Sequence, residues 1–284
     1  MAVVNTNISA SLAQASLAKN ERALSKAMEQ LSTGRKINTA ADDAAGLAIS
    51  SRMTSQIVGL EQSVQNAHDA ISMIQTAESA LDEMTNMLIR MRELALQASN
   101  GTTSVADRDF LHQEYERLVA EIDRIANNTE WNARPVLNGN AGGTSVTDVS
   151  YQVGGNAGQT ISVKFGTMVG GGSGAPLSAT VISGATTAAA QTAASAAMTG
   201  IDSAIENVSN QRASFGAAVN QLTHAIDNLT QVSINAASTR SRIMDTDYAH
   251  ATSELAKAQI IQQAGTAMLA QANQLPRSVL DLLQ

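Results

Sequence analysis

The side chains that most often carry chemistry are sparse in this 284-residue chain and stand apart from one another. Each of the four histidines falls within a predicted helix without a second ligand at metal-binding spacing, and no HExxH motif occurs; they are His68, His112, His224 and His250. Cysteine is absent, which excludes disulfides, cysteine-ligated zinc and thiol catalysis. The run GGGSG is followed by neither Lys-Ser nor Lys-Thr, so it is not a phosphate loop. We therefore expect no enzyme, no metal and no cofactor.

Two pairs of carboxylates stand beside breaks in an otherwise helical pattern. Asp42 and Asp43 precede one apolar helical segment, and Asp245 and Asp247 precede another. Such pairs are compatible with a cation site. Carboxylates at a helix start also accept hydrogen bonds from free amides and interact favourably with the helix dipole. Helix capping is the interpretation we favour, and cation binding is the alternative.

Composition and charge restrict the class of protein. The chain is 44% hydrophobic but only 2% aromatic, so its core must consist of Ala, Leu, Ile, Val and Met, which suit narrow seams between helices. The net charge of −7 makes a nucleic-acid partner unexpected. The N-terminal stretch has no basic region followed by an apolar run, and no segment reaches the length of a membrane-spanning helix. We expect no signal peptide and no membrane insertion.

Long helices flank a glycine-rich centre. Apolar residues recur at steps of three and four over Leu60–Ala95, with one polar break at Glu78. Ile201–Ala236 repeats the pattern, with Arg212 and Ser233 at the skipped positions. A period of 3.5 residues held over five heptads predicts a coiled-coil seam.

Shorter elements are predicted between the long helices. A third helix is expected from Val105 to Asn127, with Ser104 as its N-cap. In the glycine-rich centre, DVSYQV and TISVKF alternate polar and apolar residues around GGNAG, which predicts a β-hairpin, with a disordered linker as the alternative. Leu177–Gly184 is compatible with another short strand.

The end segments mirror each other. Apolar stripes run from about Asn5 to Thr33 and along the last 27 residues, and breaks at Gly34–Gly46 and Ser238–Ala249 separate them from the long helices. The simplest fold is a mainly α, coiled-coil rod with a small β-hairpin region and paired termini. A pair of end helices is marginal by itself, because most helical stability comes from tertiary packing. We therefore expect the ends to become ordered against other copies, in an open helical assembly.

Several longer motifs indicate a particular protein family. LSTGRKINTAADDAAGLAIS near the N-terminus, IRMRELALQASNGT, EIDRIANNTEWNARPVLNG and the segment from STRSRIMDTDYA to LPRSVLDLL resemble bacterial flagellins. The resemblance covers about residues 1–139 and 188–284, with the motifs in the family order. It implies a self-assembling subunit of the flagellar filament, without a large outer domain because the centre is short.

The resemblance also implies a domain arrangement. Residues 1–44 and 237–284 would form an inner domain of two end helices with their spokes, 45–138 and 188–236 the helices of the next shell, and 139–187 a β-hairpin and glycine-rich variable region. Inner-domain packing would then fall to Ile8, Leu12, Leu24, Leu31, Leu255, Ile261, Met268 and Leu275. The spokes, which would act as hinges between alternative packings, contain Gly34, Asp42, Asp43, Gly46, Arg242, Asp245 and Asp247.

The family further implies a set of partners and a location. Family members are exported unfolded through the flagellar channel with the help of the export apparatus and an export chaperone. They then meet the filament cap and junction proteins outside the cell. The vertebrate innate receptor for flagellin reads an Arg in RxREL and a Glu on the following helix. Here those residues are Arg90, Glu93, Leu94 and Glu114, with Leu94 as an apolar anchor; Ile89 stands where many activating members carry Gln.

Three alternatives remain. Arg90 and Glu114 are compatible with a polar contact inside the filament, and both roles can hold together. The hook–filament junction protein resembles flagellin at both ends, although it usually lacks the full RELALQASNGT and QAGTAMLAQANQ signatures. A secreted coiled-coil effector acting on a host receptor is a different class, which would not need to self-assemble.

Overall fold

The computed structural model describes residues 6–143, 146–171, 181–184 and 186–281, with the side chains of 171 and 275–281 left out. Helices dominate it, and the mainly α fold with small hairpins predicted above is confirmed. The α-helices are α1 (Ile8–Thr33), α2 (Ala44–Ser99), α3 (Val105–Asn128), α4 (Thr187–Met244) and α5 (Tyr248–Asp281). The strands are β1 (Glu130–Trp131), β2 (Arg134–Pro135), β3 (Asp148–Gln152) and β4 (Thr160–Lys164), and a short 3₁₀ turn covers Val169–Gly171. No helix in the described part of the chain is long and apolar enough to cross a membrane.

The chain divides into two compact units. Met1–Ile57 and Ile234–Gln284 form unit 1, and Val58–Ser233 forms unit 2. The divisions fall inside α2 and α4, whereas the sequence placed domain boundaries at 44/45 and 236/237. Both helices are continuous at the positions where the units divide. The local backbone therefore does not indicate these divisions.

The core of unit 2 is a helical seam of the predicted period. The fully buried apolar side chains of α2 include Ala67, Ile74, Leu81, Met84, Leu88, Met91 and Ala95, at steps of three, four and seven. Those of α4 include Ala194, Ala197, Ile201, Ala204, Val208, Phe215 and Leu222. All of these residues belong to one hydrophobic cluster. Small side chains on both helices suit the close helix–helix packing expected from a core that is poor in aromatics.

The polar breaks of the two seams meet. Arg212 of α4 lies 3.2 Å from Asp82 and 4.0 Å from Glu78 of α2. Ten residues earlier in α4, Asp202 pairs with Arg92, ten residues later in α2, at 2.7 Å. These equal and opposite offsets show that α2 and α4 run antiparallel within unit 2. The interruptions at Glu78 and Arg212 are therefore a matched contact between the helices.

Helix α3 begins where the sequence predicted. The Ser104 hydroxyl accepts a hydrogen bond from the Asp107 amide at 3.2 Å and caps the helix. Arg108, four residues after the cap, is fully buried. Its guanidinium donates to the carbonyls of Ala98 and Asn100 at 2.8 and 2.9 Å, so a cation satisfies the carbonyl end of α2.

Two hairpins follow α3. The predicted β3–β4 hairpin is confirmed, with Val149 opposite Val163 and both side chains buried. The β1–β2 hairpin was not predicted. Its turn residues, Asn132 and Ala133, both have positive φ, as a two-residue type I′ turn requires. The first half of the possible strand Leu177–Gly184 lies outside the described residues, and Val181–Gly184 is not a strand.

In unit 1, the breaks between helices are shorter than predicted. Helix α4 continues through Ser238–Met244, so only Asp245–Asp247 separates it from α5. The N-terminal break covers Gly34–Asp43, and Gly46 lies in the first turn of α2. Arg242 therefore belongs to the last turn of α4 and not to a connection, because the polar segment around it remains compatible with helix.

Candidate assembly and recognition surfaces

Helices α1 and α5 pair through a seam with strict heptad spacing. The less exposed positions of α1 are Ala10, Ala13, Leu17, Asn20, Leu24, Ala27 and Leu31. Those of α5 are Ala251, Leu255, Ala258, Gln262, Gly265, Leu269 and Ala272. Steps of three and four alternate in both helices without a fault, which is the pattern of a coiled coil. Half of these residues are Ala or Gly, so the two backbones approach closely.

Two asparagines bind across the seam and show its direction. The side-chain amide of Asn7 donates to the carbonyl of Ala272 at 2.8 Å, and that of buried Asn20 donates to the carbonyl of Ala258 at 2.7 Å. The helices are therefore antiparallel. Close approach is also visible at Gly265, where an added Cβ would lie 3.0 Å from Leu17 Cδ1.

Much of the apolar surface of the helix pair lies outside the seam. Exposure is 67% for Ile8, 68% for Leu12, 45% for Ile261 and 64% for Met268. The stripe through Ile261 and Met268 therefore lies largely outside the contact with α1, because the small residues beside it allow the closer seam. Of the other predicted packing residues, Leu24, Leu31 and Leu255 are half-buried in the seam, and the side chain of Leu275 lies outside those described.

An apolar groove runs along one side of this pair. Its volume is about 510 Å³, and its walls include Leu12, Ala13, Leu17, Ile261, Gly265 and Met268. The most exposed large apolar side chains of this lining are Leu12 from α1 and Met268 from α5. Ser9, Ser16 and Gln271 supply its polar lining, and the rest of the groove offers contacts to another apolar surface.

The two breaks of unit 1 bind each other through their backbones. The Lys36 amide donates to the Met244 carbonyl at 2.6 Å, and the Thr246 amide donates to the Gly34 carbonyl at 3.0 Å. Gly34 has φ of +70°, a left-handed conformation that ends α1 and that favours glycine. The connections that the sequence marked as hinges thus form a short antiparallel bridge.

The carboxylates at these breaks make hydrogen bonds to the protein itself. Asp43 accepts from the Gly46 amide at 2.9 Å, and Asp247 accepts from the amides of Ala249 and His250 at 2.9 and 3.3 Å, so both cap helices. Asp245 accepts from the Ser241 hydroxyl at 2.5 Å. Among the residues that the structure describes, no three His, Cys, Asp or Glu side chains are grouped as metal ligands.

Asp42 differs from its neighbour in having a cationic partner. Lys26 Nζ lies 2.7 Å from its carboxylate, and the amides of Thr39 and Asn38 donate to Oδ2 at 3.1 and 3.2 Å. The hydrogen bond from Lys26, followed by the two backbone amides, lowers the pKa of Asp42 well below its usual range. The carboxylate therefore ties α1 to the turn that precedes α2.

Arg90, Glu93 and Glu114 form an exposed ion triad on unit 2. Arg90 Nε donates to Glu114 Oε1 and Nη1 donates to Glu93 Oε2, each at 3.0 Å, so the Arg joins α2 to α3. The hydrogen bonds with Glu93 and then Glu114 raise the pKa of Arg90. About half of each side chain remains exposed, and such a pair adds little to stability.

Leu94 is not part of the surface that the triad presents. It is 1% exposed and belongs to the hydrophobic cluster of unit 2, so the prediction that it is an apolar anchor for a partner is wrong. One helical turn separates it from Arg90, and the edge of the core passes between them. The apolar side chains that are exposed near the triad are Ile89 at 48% and Phe110 at 69%.

Some residues of these surfaces carried no clear signal in the sequence. Asn20 interrupts a seam of small apolar residues, and only the heptad phase of the whole helix identifies it as buried. Phe110 precedes Glu114 by four residues, so the helical repeat alone places both on one face of α3. Its exposure depends on how α3 is rotated against α2, which the period does not specify.

Comparison with protein families finds two matching models. Residues 4–142 match the bacterial flagellin N-terminal helical region, and residues 198–283 match the bacterial flagellin C-terminal helical region. A flagellin of Halalkalibacterium halodurans is 42% identical over 282 residues, which cover 99% of this chain and 100% of the relative. The flagellar filament 33 kDa core protein of Treponema phagedenis is 39% identical over 285 residues, with coverage of 99% and 100%.

Two solved structures share the fold. The crystal structure of Bacillus cereus flagellin has a TM-score of 0.50 and 31% identity, and the match covers 58% of this chain and 88% of that one. A structure described as a flagellar hook-associated protein from Vibrio parahaemolyticus has a TM-score of 0.59 and covers 72% and 100%, but at 13% identity it shows the fold alone. Flagellin A of Vibrio cholerae, 34% identical, aligns over 375 positions, whereas this chain has 284 residues and lacks a large variable domain.

Proposed function

The chain belongs to the bacterial flagellin family, and on that premise we propose that it is a structural subunit that self-assembles into the helical filament of the bacterial flagellum. The role is that of a polymer that transmits rotation for swimming, and not that of an enzyme. Export through the flagellar channel, with the export apparatus and an export chaperone, would bring it outside the cell. The filament cap and the junction proteins would be its neighbours at the two ends of the polymer.

The observation that carries this proposal is the open apolar face of the α1–α5 pair. Ile8, Leu12 and Met268 are each about two-thirds exposed in the single chain. Burying a Leu, Ile or Met side chain completely contributes about 1.5–3 kcal/mol. A contiguous face of this kind on two terminal helices favours association with further copies, since a single chain leaves it in water.

Assembly without ring closure explains why one chain exposes unlike surfaces. A helical polymer needs contacts in which one surface of a subunit meets a different surface of the next. Unit 1 presents the apolar groove and, outside its lining, further exposed apolar side chains such as Ile8 and Met28. One surface of a copy can therefore meet a different surface of the next. The hinge role proposed for Gly34 and its surroundings fits this arrangement, because subunits in a curved polymer need alternative lengths.

Seeded growth tests the filament role. Purified full-length protein is mixed with short filament fragments, beside a variant truncated by about the last 25 residues, and both are examined by electron microscopy. We expect long filaments only from the full-length chain. Growth of neither protein, together with ordered end helices in the soluble full-length chain, would favour the junction-protein or effector alternatives.

We also propose that the soluble subunit is recognised by the vertebrate innate flagellin receptor at the exposed ion triad. Arg90, Glu93 and Glu114 offer guanidinium and carboxylate groups at the surface, with Ile89 and Phe110 as flanking apolar contacts. Exposed aromatic and arginine side chains are the residues most often dominant in protein interfaces. In a filament, the same triad can serve as a polar contact between α2 and α3.

Receptor signalling by the unassembled subunit tests this second role. R90A should lower potency by roughly tenfold or more, because a charged interface contact is lost and two carboxylates are left unpaired. R124A is the matched control, since Arg124 makes a similar exposed pair with Glu121 farther along α3. L94A is unsuitable, because truncating a buried Leu destabilises the core by about 2–5 kcal/mol. Equal potency of R90A and wild type would contradict the assignment.

A further inference from the structure

A polar pocket of about 560 Å³ opens where the breaks of unit 1 meet. One wall comes from Arg35, just after α1, and another from Arg240 and Met244 near the end of α4. The remaining lining comes from α2 and from the second break: Leu47, Ser50, Ser51, Thr54, Ser55 and Asp245. The walls therefore carry two arginines and several hydroxyls, which are groups suited to an oxyanion. The one carboxylate of the lining, Asp245, already accepts from the Ser241 hydroxyl. We call this the guanidinium pocket.

The hydroxyls of Thr54 and Ser50 are used within the protein, because they donate to the Ser50 carbonyl and to the Met244 sulfur. The guanidinium donors of this pocket, by contrast, are largely unused. Arg240 Nη1 donates to Thr54 Oγ1 at 3.3 Å, which occupies one of the five N–H groups of the guanidinium. Arg35 is held in place through its backbone, opposite Asp245 in the bridge between the breaks. Within the described residues, the guanidinium of Arg35 has no ion-pair partner, and neither does that of Arg240.

The charges around the pocket are unequally engaged. The cations near the two breaks, Arg35, Lys36, Arg52, Arg240 and Arg242, lie more than 4.0 Å from every carboxylate in the part of the chain that the structure describes. The four nearby aspartates, by contrast, cap helices or bind a hydroxyl or Lys26. These five cationic side chains therefore have no ionic partner within the described residues, whereas the neighbouring aspartates already bind groups of the protein.

Complementary charge lies elsewhere on the same molecule. Segments 33–55 and 238–247 contain five cations and four carboxylates, a net +1, so the rest of a chain of net charge −7 carries −8. The complementarity is local, because each copy carries a net negative charge: a carboxylate from the more acidic remainder of another copy would meet cations here that have no ionic partner among the described residues. Surface cations alone are ordinary, but here two arginines from different elements line one pocket, and a guanidinium can bind a carboxylate through two parallel hydrogen bonds.

We propose that the guanidinium pocket receives an Asp or Glu carboxylate from a second copy of this chain, held between Arg35 and Arg240. The inference rests on the proposed filament role and assigns it a specific polar contact beside the apolar groove. The hydroxyls of Ser51 and Ser55 supply further donors to the carboxylate. The apolar faces then supply attraction between copies, and the charged contact selects their relative position.

Charge-removing variants test the contact. R35Q/R240Q should raise the critical concentration for seeded growth by about tenfold or more, because it leaves an interfacial carboxylate unpaired. K257Q is the matched control: it removes a cation of the same unit whose partner, Glu254, lies 3.6 Å away on the same helix. Circular dichroism of both variants checks that the helices are retained. Growth of R35Q/R240Q at the wild-type critical concentration would overturn the inference.

A cross-linking experiment identifies the source of the carboxylate. R240K places an amine in the pocket, and a water-soluble carbodiimide joins that amine to an adjacent carboxylate as an amide, while the carbodiimide takes up the water and becomes a urea. The chain has only five lysines, so background coupling is low. Filaments grown from equal amounts of ¹⁴N and ¹⁵N protein should give mixed-label cross-linked peptides at position 240. Cross-links that contain one label only would overturn the proposal.

Two further outcomes separate this inference from its premise. If inorganic phosphate binds the wild-type subunit, fails to bind R35Q/R240Q, and the two proteins assemble alike, the pocket holds a free oxyanion and the second-copy proposal is wrong. If the wild-type protein itself does not extend filament fragments, the filament role fails and the contact fails with it. Normal wild-type growth with impaired growth of R35Q/R240Q supports both.

Discussion

The apolar groove of the α1–α5 pair leads to a quantitative prediction about assembly. Leu12 and Met268 are 68% and 64% exposed and face each other across the groove. Truncation of either to Ala removes three heavy atoms, which contribute roughly 2.4 kcal/mol when they become fully buried. About two-thirds of that area remains to be covered by another copy. Each truncation should therefore weaken addition of a subunit by about 1.5 kcal/mol.

In a polymer, the free energy of subunit addition sets the critical concentration. A loss of about 1.4 kcal/mol corresponds to a tenfold change. L12A or M268A should therefore raise the critical concentration roughly tenfold, and L12A/M268A roughly a hundredfold if the two sites add. Sedimentation of seeded mixtures at equilibrium, with the soluble fraction measured at several total concentrations, gives these values directly.

The seam provides a contrasting control with the same chemistry. L24A/L255A removes half-buried side chains from between α1 and α5, so it should lower the thermal stability of the helix pair within one chain. L12A/M268A should leave that stability nearly unchanged, because both side chains are already in water and Ala is a good helix former. Equal critical concentrations for wild type and L12A/M268A would refute the reasoning that this groove is covered in the polymer.

Three other predictions concern local features. A133G should stabilise unit 2 by up to about 1 kcal/mol in urea unfolding, because Ala133 has φ of +60° and Gly adopts this conformation without strain; lower stability would contradict it. The lowered pKa of Asp42, caused first by Lys26, means that its contribution to the stability of unit 1 is present above the ordinary Asp pKa and is lost as pH falls through the lowered one; an acid titration of helicity should show this loss in wild type and not in D42N. Peroxide should oxidise Met28 and Met268, 54% and 64% exposed, before the buried methionines of unit 2, and peptide mapping of filaments should show Met268 protected.

Periodicity and turn chemistry predicted much of the fold. The 3.5-residue repeat of α2 and α4, the Ser104 cap of α3 and the β3–β4 hairpin all depend on interactions between residues close in the chain. Such interactions are encoded locally, so the sequence alone is enough to identify them. The order of the motifs was sufficient to predict the family. The RMREL motif and the Glu on the following helix were sufficient to single out Arg90, Glu93 and Glu114.

The β1–β2 hairpin and the C-terminal end of α4 differ from the prediction, because their residues are compatible with more than one local conformation. The turn of the β1–β2 hairpin contains Asn132 and Ala133 in place of Asn-Gly, so the usual signal was missing. Ser238–Met244 has few apolar residues and yet continues α4, since backbone pairing with the Gly34 region supports its end. For Ser238–Met244, the contacts that support the helix end come from outside the segment.

The sequence by itself determined that this chain forms long helices with apolar stripes, and that its termini can pair. Only the tertiary structure decided which stripe each helix uses. On α1 and α5 two apolar faces compete, and the face with small residues forms the seam because backbones can approach closely there, leaving Leu12 and Met268 outside. Leu94 shows the same limit, since helical spacing places it near Arg90 but the rotation of α2 against its neighbours buries it. Which direction a helix face points depends on its packing partners, and a local repeat contains no information about them.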